Sequence, residues 1–414
     1  MTLYENISIE DFAEVTSSKR IFLNDYVEEG IPFWRSKEVI EQFNGSNISN
    51  ELFITEEKYY DIKDRFGVPK CGNILVTSVG TIGVPFLVKD DSPFYFKDGN
   101  LTWIKNISDS VDPKYLFLWI SSQIGQKTID NQIIGSSQKA LTISALKKIK
   151  VPIPPLPTQK KIAKILSNYD YLIEKNLKRI NLLEESAKLA YEEWFLRFRI
   201  DGVKLEIDSN SGLPYGWEWK LLKDFGEVVT GKTPSTNNED YFGGNIPFVK
   251  TPSMHGNPYT LETQEYLTKQ GASTQKNKFL SKNSLMVSCI GTAGVYSLVA
   301  NDCQTNQQIN SIKFFKDEYS FYIFGFAGYL TSILDAIGSN GATMTNVNKT
   351  KFENIKVAMP STGLLEKFHN TYSSNFEAIL NIMKQNQLLK EARDILLPRM
   401  MTGKINTDAL DVDV

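Results

Sequence analysis

The strongest constraint on this chain is that it repeats itself, since a sequence made of two diverged copies cannot be a single uninterrupted fold. Asp11-Phe12-Ala13-Glu14-Val15 returns as Asp224-Phe225-Gly226-Glu227-Val228, and Asp25-Tyr26 with Ile31-Pro32-Phe33 returns as Asp240-Tyr241 with Ile246-Pro247-Phe248. The stretch around Gly80-Thr81-Ile82-Gly83 returns around Gly291-Thr292-Ala293-Gly294, and Ile149-Lys150-Val151 returns as Ile355-Lys356-Val357. The offsets are 213, 215, 211 and 206, drifting only as loop insertions and deletions would. The 414 residues, which by length alone predict two or three domains, therefore read as two tandem halves.

Each half changes character part-way. Its first part carries short β-branched and aromatic runs broken by Gly, Pro, Asn and Asp, the pattern of strands and turns with a few helices. Val151-Pro152-Ile153-Pro154-Pro155-Leu156-Pro157 then predicts a stiff, extended linker. Beyond it, Ile162, Leu166, Tyr169, Ile173, Asn176, Ile180, Leu183, Ala187, Ala190 and Trp194 follow an unbroken 4,3 spacing, a heptad seam on one long helix. Shifted by 206, the seam reads Phe368, Tyr372, Asn375, Ile379, Ile382, Asn386, Leu389, Arg393, Leu396 and Met400, with Pro398 predicting a frayed end.

Two exposed seams in one chain predict mutual pairing, the other reading being that each helix packs on its own globular part. Tandem copies favour a pseudo-two-fold, hence antiparallel, arrangement, with Asn176 and Asn386 as buried polar positions that set register. The expected fold is α/β (α+β) globular heads in two tandem copies, separated by a long antiparallel two-helix coiled coil, a pseudo-two-fold dumbbell. The expected divisions are a head over residues 1–155, a helical spacer over 156–200, a second head over 201–360, a helical spacer over 361–405 and a tail over 406–414. About 40 helical residues span roughly 60 Å.

Composition narrows the chemistry. With 46 Lys+Arg against 48 Asp+Glu, the net charge of -2 excludes a uniformly basic nucleic-acid coat, though not a local basic groove. Residues 1–157 carry 17 basic against 20 acidic side chains, 200–360 carry 14 against 15, and only 158–199, with 9 against 6, is net positive. Cys71, Cys289 and Cys303 form no CxxC pair, and His255 and His369 are the sole histidines, leaving no zinc cluster and little for a Ser/His/Asp triad. The N-terminus lacks a signal-peptide pattern and the longest apolar run, Phe321 to Leu330, is half a membrane span, so the expected location is the cytoplasm.

The order of these parts, a head, a proline-punctuated exit, a long helix, a second head opening with Gly212-Leu213-Pro214-Tyr215-Gly216-Trp217 and a second long helix, resembles the DNA-specificity subunit of type I restriction-modification systems. The resemblance covers roughly residues 5 to 405. It also rests on Gly231-Lys232-Thr233-Pro234, on the Gly-Thr-x-Gly turn in each head, and on Pro-Pro-Leu-Pro-x-Gln-Lys-Lys-Ile at 154–162. It implies that each head is a target-recognition domain for one half of a bipartite DNA sequence and that the helices set the half-site spacing. It further implies that the partners are double-stranded DNA, two modification (methyltransferase) subunits docked on the helices, and two restriction (helicase-nuclease) subunits. The subunit itself would be non-catalytic and hold no cofactor or metal, S-adenosylmethionine, ATP and Mg belonging to the partners.

Catalytic motifs should then be absent. Glu56-Glu57-Lys58 fits the tail of a nuclease motif, but Glu-x-Lys is common by chance. Gly226-Glu227-Val228-Val229-Thr230-Gly231-Lys232-Thr233 satisfies the Gly-x4-Gly-Lys-Thr phosphate-loop pattern, yet Pro234 follows at once and no apolar helix begins behind it. It reads better as a strand entering a basic loop. An NTP-binding enzyme through Gly226–Thr233 and a two-headed protein-binding adaptor are the rival readings.

Duplicated loops supply the candidate DNA contacts, with ordinary solvated surface as the plain alternative. Ser18, Lys19 and Arg20 match Lys232 and Thr233; Trp34, Arg35 and Lys37 match Lys250 and Thr251. Ser78 and Thr81 match Thr292, and Gln138 and Lys139 match Asn340. Lys, Arg and small hydroxyls suit phosphate oxygens, Arg also suits guanine edges, and Gln or Asn suits adenine. The glycines of the two Gly-Thr-x-Gly turns are expected to serve a positive φ angle, close approach to a backbone being the other reading. Tyr191, Trp194, Phe195 and Phe198 read as packing against a head, with a docking face as the alternative.

Overall fold

The computed structural model of the chain describes residues 4–43, 48, 51–133, 139–338, 345–405 and 407. They fall into two compact units, one made of Met1–Lys175 with Gln387–Val414 and the other of Asn176–Asn386.

The first unit is organised by an antiparallel sheet in the order Glu14–Thr16, Leu101–Lys105, Ile74–Thr77, Pro85–Leu87. Ile74-Leu75-Val76-Thr77 is buried throughout, because both faces of the sheet are covered. Its side chains alternate with the period of two expected of a strand. Ile74 and Val76 pack with Tyr115, Leu116 and Trp119 of the helix Pro113–Ser121, while Leu75 turns to Trp34, Phe96 and Trp103 on the other side. That helix starts where Asp112 accepts a hydrogen bond from the Tyr115 N–H, with Pro113 in the first turn. Each fully buried apolar side chain contributes about 1.5–3 kcal/mol. A smaller sheet, Tyr26–Val27, Phe53–Ile54, Ile31–Trp34, Tyr95–Phe96, completes the head, its last pair parallel.

The second unit repeats the plan. Its main sheet runs Gly226–Thr230, Ile309–Phe314, Leu285–Ser288, Tyr296–Val299, Tyr259–Thr260, and its smaller sheet Glu265–Leu267, Phe242–Val249, Gln304–Thr305, again with a parallel last pair. Leu285 and Val287 face the helical core and Met286 the opposite side. One buried polar device is duplicated: the Tyr115 hydroxyl donates to the Pro152 carbonyl at 2.6 Å, and the Tyr322 hydroxyl donates to the Ala358 carbonyl. A buried phenol without such an acceptor would be costly, so each tyrosine ties its helix to the exit strand. Among the described residues no single helix is long and apolar enough to cross a membrane. The bent pair Glu318–Ala327 and Leu330–Gly338, 67° apart, buries Phe321, Tyr322, Ile323, Leu330 and Leu334 in the second unit's core.

The proline-rich exit is not the free linker that its composition suggests. Lys150–Ile153 pairs antiparallel with Glu5–Ser8, and Lys356–Met359 pairs with Glu218–Leu221 in the second head. A two-stranded ribbon tolerates Pro152 because each strand has an open edge. The central helix begins at Leu156, and Pro157 lies in its first turn, where a missing N–H costs nothing. Gln159 explains the motif around it. Fully buried, its amide donates to the carbonyls of Ser110 and Pro154 and accepts from the Asp112 N–H, stitching exit, helix and head together.

The central helix spans Leu156–Tyr191, about 54 Å at 1.5 Å per residue, and closes in a π turn at Glu192–Leu196; the C-terminal helix spans Thr362–Met401. Each unit holds one half of each helix. In the first, Ile162 and Leu166 share a core with Leu397, Met400 and Met401, and Arg393 pairs with Asp170 at 2.6 Å. In the second, Ile180, Ala187 and Tyr191 share a core with Phe368, Phe376, Ile379 and Ile382, and the Asn176 amide donates to Asn386 at 2.8 Å. Partners rise in number on one helix as they fall on the other, so the pair is antiparallel.

Along the seam Ile162, Leu166, Ile173, Ile180, Ala187, Phe368, Ile379, Ile382 and Asn386 are buried, and Tyr169, Asn176, Leu183, Tyr372, Leu389 and Leu396 are half-buried. Pairing and packing on a head are not alternatives, because one continuous core does both in each unit. Pro398 does not end its helix, which continues to Met401 with Leu397, Met400 and Met401 buried beside it; packing outweighs the lost hydrogen bond.

Candidate nucleic-acid interface

Strand direction decides where the candidate loops emerge. Glu14–Thr16 and Ile74–Thr77 both run antiparallel to Leu101–Lys105, so both end where that strand begins. Ile31–Trp34 runs parallel to Tyr95–Phe96, which leads through Lys97–Asn100 to the same point. Three loops that are distant in sequence, 17–20, 35–37 and 78–83, therefore leave one end of the first head. Asn100 ties the last two: its carbonyl accepts from the Ser78 N–H at 2.8 Å and from the Ser36 hydroxyl at 3.3 Å.

The second head repeats the construction. Gly226–Thr230 and Leu285–Ser288 end where Ile309–Phe314 begins, and Phe242–Val249 runs beside Gln304–Thr305 towards the same point. Here the Gln308 carbonyl accepts from the Cys289 N–H at 2.8 Å, and Asn306 N–H donates to Val249 as Lys97 N–H does to Trp34. The Gly-Thr-x-Gly turns sit at this end in both heads, with φ of +78° and +87° at Gly80 and Gly83 and +79° and +88° at Gly291 and Gly294, values that favour glycine. Thr81 and Thr292 are exposed on them. Val79 bridges Ala140, and Ile290–Gly291 pairs with Thr345–Asn346, so Lys139, which is exposed, also belongs to this end. Gln138 and Asn340 lie outside the described residues.

Several candidates differ from their expected surface role. Trp34 is 8% exposed and stacked on Phe94 at 4.3 Å, Ser78 is buried against Thr102 at 2.6 Å, and Thr251 is buried against Ser288 at 3.2 Å. Trp34 ends its strand on an inner face, whereas Ser78 and Thr251 lie just past their strands and are held inside by their hydroxyl partners Thr102 and Ser288. Ser18 is also buried, at 9% exposure.

The surface cations of the first head are organised by acids. Arg20 bonds Asp98 at 2.9 Å with its side chain 70% exposed, and Lys19 lies 4.5 Å from the Phe66 ring centroid. Arg35 bonds the fully buried Glu38 at 2.8 Å and Glu51 at 2.9 Å, and Lys37 also bonds Glu51. The Glu38 hydrogen bond, aided by Glu51, holds the Arg35 guanidinium more firmly protonated than usual; Lys37 and then Arg35 hold the Glu51 carboxyl down at about 2. Of eight buried side-chain polar atoms without a partner among the described residues, four lie in or directly beside two of these loops: Ser17 Oγ, Ser18 Oγ, Trp34 Nε1 and Arg35 Nε. Such a concentration marks hydrogen-bonding capacity left open at this end.

The second head uses amides and hydroxyls. Thr233 donates to Gln307 at 2.7 Å, Thr230 to Asn310 at 2.6 Å, and Asn306 to Gln308 at 3.1 Å, while Lys250 pairs with Glu265 and Lys232 is exposed. Gly226–Thr230 is a sheet strand, and the Gly231 and Lys232 N–H groups donate to the carbonyls of Ile309 and Thr305. A phosphate loop needs those N–H groups free and a helix behind them, so the motif match is a strand and turn.

Sequence reading missed Lys97, Asn100 and the Asn306-Gln307-Gln308 run. The latter three amides in a row between two strands, at the place of Lys97–Asn100, were the available signal. Tyr191 and Phe195 are buried in the second unit's core with Trp194 and Phe198 packed against it; Phe195 and Phe198 meet Trp217 of the Leu-Pro-x-Gly-Trp segment at 6.0 and 5.5 Å. Among the described residues no three His, Cys, Asp or Glu side chains are grouped to hold a metal.

Comparison with known proteins agrees with this duplication. The family described as "Type I restriction modification DNA specificity domain" matches twice, over residues 1–185 and 214–388. The HindI specificity subunit of Haemophilus influenzae is 29% identical, covering 87% of this chain and 93% of its own. The MjaIX specificity subunit of Methanocaldococcus jannaschii is 26% identical, covering 97% and 93%. In fold, the S subunit of a type I restriction-modification system from M. genitalium superposes with a TM-score of 0.58 over 96% of both chains at 15% identity. Two matched copies on a duplicated scaffold, spanning most of the sequence, make this chain a member of the type I restriction-modification DNA-specificity family.

Proposed function

We propose that each head reads one half of a split double-stranded DNA sequence through the loops gathered at this sheet end. The observation that carries the reading is duplication. Two heads with one scaffold present basic, hydroxyl and amide side chains from equivalent strand ends, and the side chains themselves differ between copies. Phosphate contacts by residues such as Lys19, Arg20, Lys139 and Lys232 supply affinity, and the amides and Arg35 supply base selection. With heads that are not basic overall, binding falls steeply with salt and is weak for the isolated chain.

The chain acts as a non-catalytic subunit in the cytoplasm. Two modification and two restriction subunits bring the chemistry, with S-adenosylmethionine, ATP and Mg bound by them, and the modification subunits flip the adenine that they methylate. Leu182 and Leu189, exposed one heptad apart on the central helix, support its role as a docking face. Methylation mapping in a host carrying the complete system tests the reading. Replacing residues 1–155 or 201–360 by the matching head of a relative should change one half of the motif and leave the other intact. A motif that neither swap alters overturns it.

A further inference from the structure

Directly after Lys19 and Arg20, the first head exposes Phe22 and Leu23, at 64% and 82% of their surfaces. Leu23 is the most exposed large hydrophobic residue among those described. Neither is loose. Leu23–Asp25 is a 3-10 turn in which the Asp25 N–H donates to the Phe22 carbonyl at 2.9 Å, and the Asp25 carboxylate accepts from the Phe22 N–H at 2.9 Å. Lys58 pins the same carboxylate at 3.2 Å. The turn is anchored on both sides, by Ile21 in the small-sheet core and by Tyr26 against the Phe33 ring at 5.3 Å. Two adjacent apolar side chains are thus held outward by a braced turn, against the hydrophobic effect that would bury them.

We propose that Phe22 and Leu23 form a wedge that enters a base step of the half-site bound by the first head, unstacking it and kinking the duplex. Apolar wedges flanked by cations are a known physical route to bent DNA, because the cations hold the two phosphate strands while the side chains replace lost stacking. Lys19 and Arg20 directly precede the wedge, and Asp25 and Asp98 beside it are each engaged by a cation, Lys58 and Arg20. At the matching position the described residues of the second head form no such element. Its chain between Thr233 and Glu239 reads Pro234-Ser235-Thr236-Asn237-Asn238, with Pro234 buried and the rest polar. The kink therefore belongs to one half-site only. The inference rests on the reading of the sheet end as the DNA interface.

The test uses the full chain assembled with its modification subunits and, once the methylation motif is mapped, duplexes carrying 2-aminopurine at successive positions in and beside each half-site. A fluorescence rise is expected at one step of the first half-site, separate from the adenine that is methylated. The double variant Phe22→Ala, Leu23→Ala should abolish that rise, keep the signal at the methylated adenine, and weaken specific binding about tenfold. Its unfolding midpoint should not move, since both side chains are exposed. A signal confined to the methylated adenine, or a step signal unchanged in the variant, overturns the wedge while leaving half-site recognition standing. Loss of the modification subunits from the purified variant complex would make the pair a protein contact, and also overturns it. Failure of the underlying reading is separate: head swaps would then leave the motif unaltered.

Discussion

The two heads share a scaffold and differ at its working end. In the first, long-range ion pairs fix the loops: Arg35 and Lys37 converge on Glu51, Arg35 reaches the buried Glu38, and Arg20 meets Asp98. In the second, one ion pair, Lys250 with Glu265, stands beside a ladder of amides and hydroxyls, Thr230–Asn310, Thr233–Gln307 and Asn306–Gln308. After duplication, the sheets kept the order of their shared strands and the parallel pair of the smaller sheet because a core tolerates little change, whereas the loops beyond the last ladder bond could change chemistry freely. A protein that reads two unlike half-sites needs that division of labour.

The sharpest way to break the comparison is to remove the central cation of each head. Arg35→Ala leaves the fully buried Glu38 without its guanidinium and should cost about 3 kcal/mol of the first unit's stability, whereas Lys250→Ala removes a half-exposed pair with Glu265 and should cost under about 1 kcal/mol. Urea unfolding followed by tryptophan fluorescence would measure both, since Trp34, Trp103 and Trp119 lie in the first unit and Trp194, Trp217 and Trp219 in the second. Equal losses would mean that the two ends are braced alike.

The units should also respond differently to pH. Burial against the second unit raises the Glu184 carboxyl from an ordinary 4.5 to about 7. The folded state then favours the neutral acid, so the unit loses stability as pH rises from 4.5 to 7 and carries the full penalty above it. Glu184→Gln should stabilise this unit by about 1–3 kcal/mol above pH 7 and hardly at all at pH 4.5. A pH-independent difference in unfolding midpoint would contradict that. Glu51 in the first head, at about 2, behaves oppositely: its pairing persists well into acid and is lost only as pH falls from the ordinary carboxylate range through 2.

The smallest effect concerns Lys232, exposed at the second head's sheet end. Lys232→Ala in the assembled complex should lower specific affinity a few-fold and reduce the salt slope by about 1, with both halves of the motif unchanged. A changed second half would move Lys232 from phosphate to base contact.

Much of this was legible in the sequence. The repeat, the helical seams and the two Gly-Thr-x-Gly turns are local patterns, and periodicity reports them directly. Burial at strand ends was less so. Trp34, Ser78 and Thr251 look like loop residues beside Arg35, Thr81 and Lys250, and partners distant in sequence, Phe94, Thr102 and Ser288, hold them inside. The bracing of the first head was hidden for another reason: Glu51 and Asp98 stand 16 and 78 residues from the arginines that they hold. No window-based pattern reports such pairs. Pro398 and the proline-rich exit misled because propensity yields to packing when large side chains are buried alongside.

The antiparallel helix pair has a consequence for the order in which the molecule forms. The second unit is one continuous stretch, Asn176–Asn386, whereas the first closes its core only with Leu397, Met400 and Met401 from the far end of the C-terminal helix. On a ribosome, the residues made first must wait for those made last, while the middle of the chain can already settle. The first head is therefore the one exposed longest to aggregation and proteolysis during synthesis, and its completion reports that synthesis has passed the C-terminal helix.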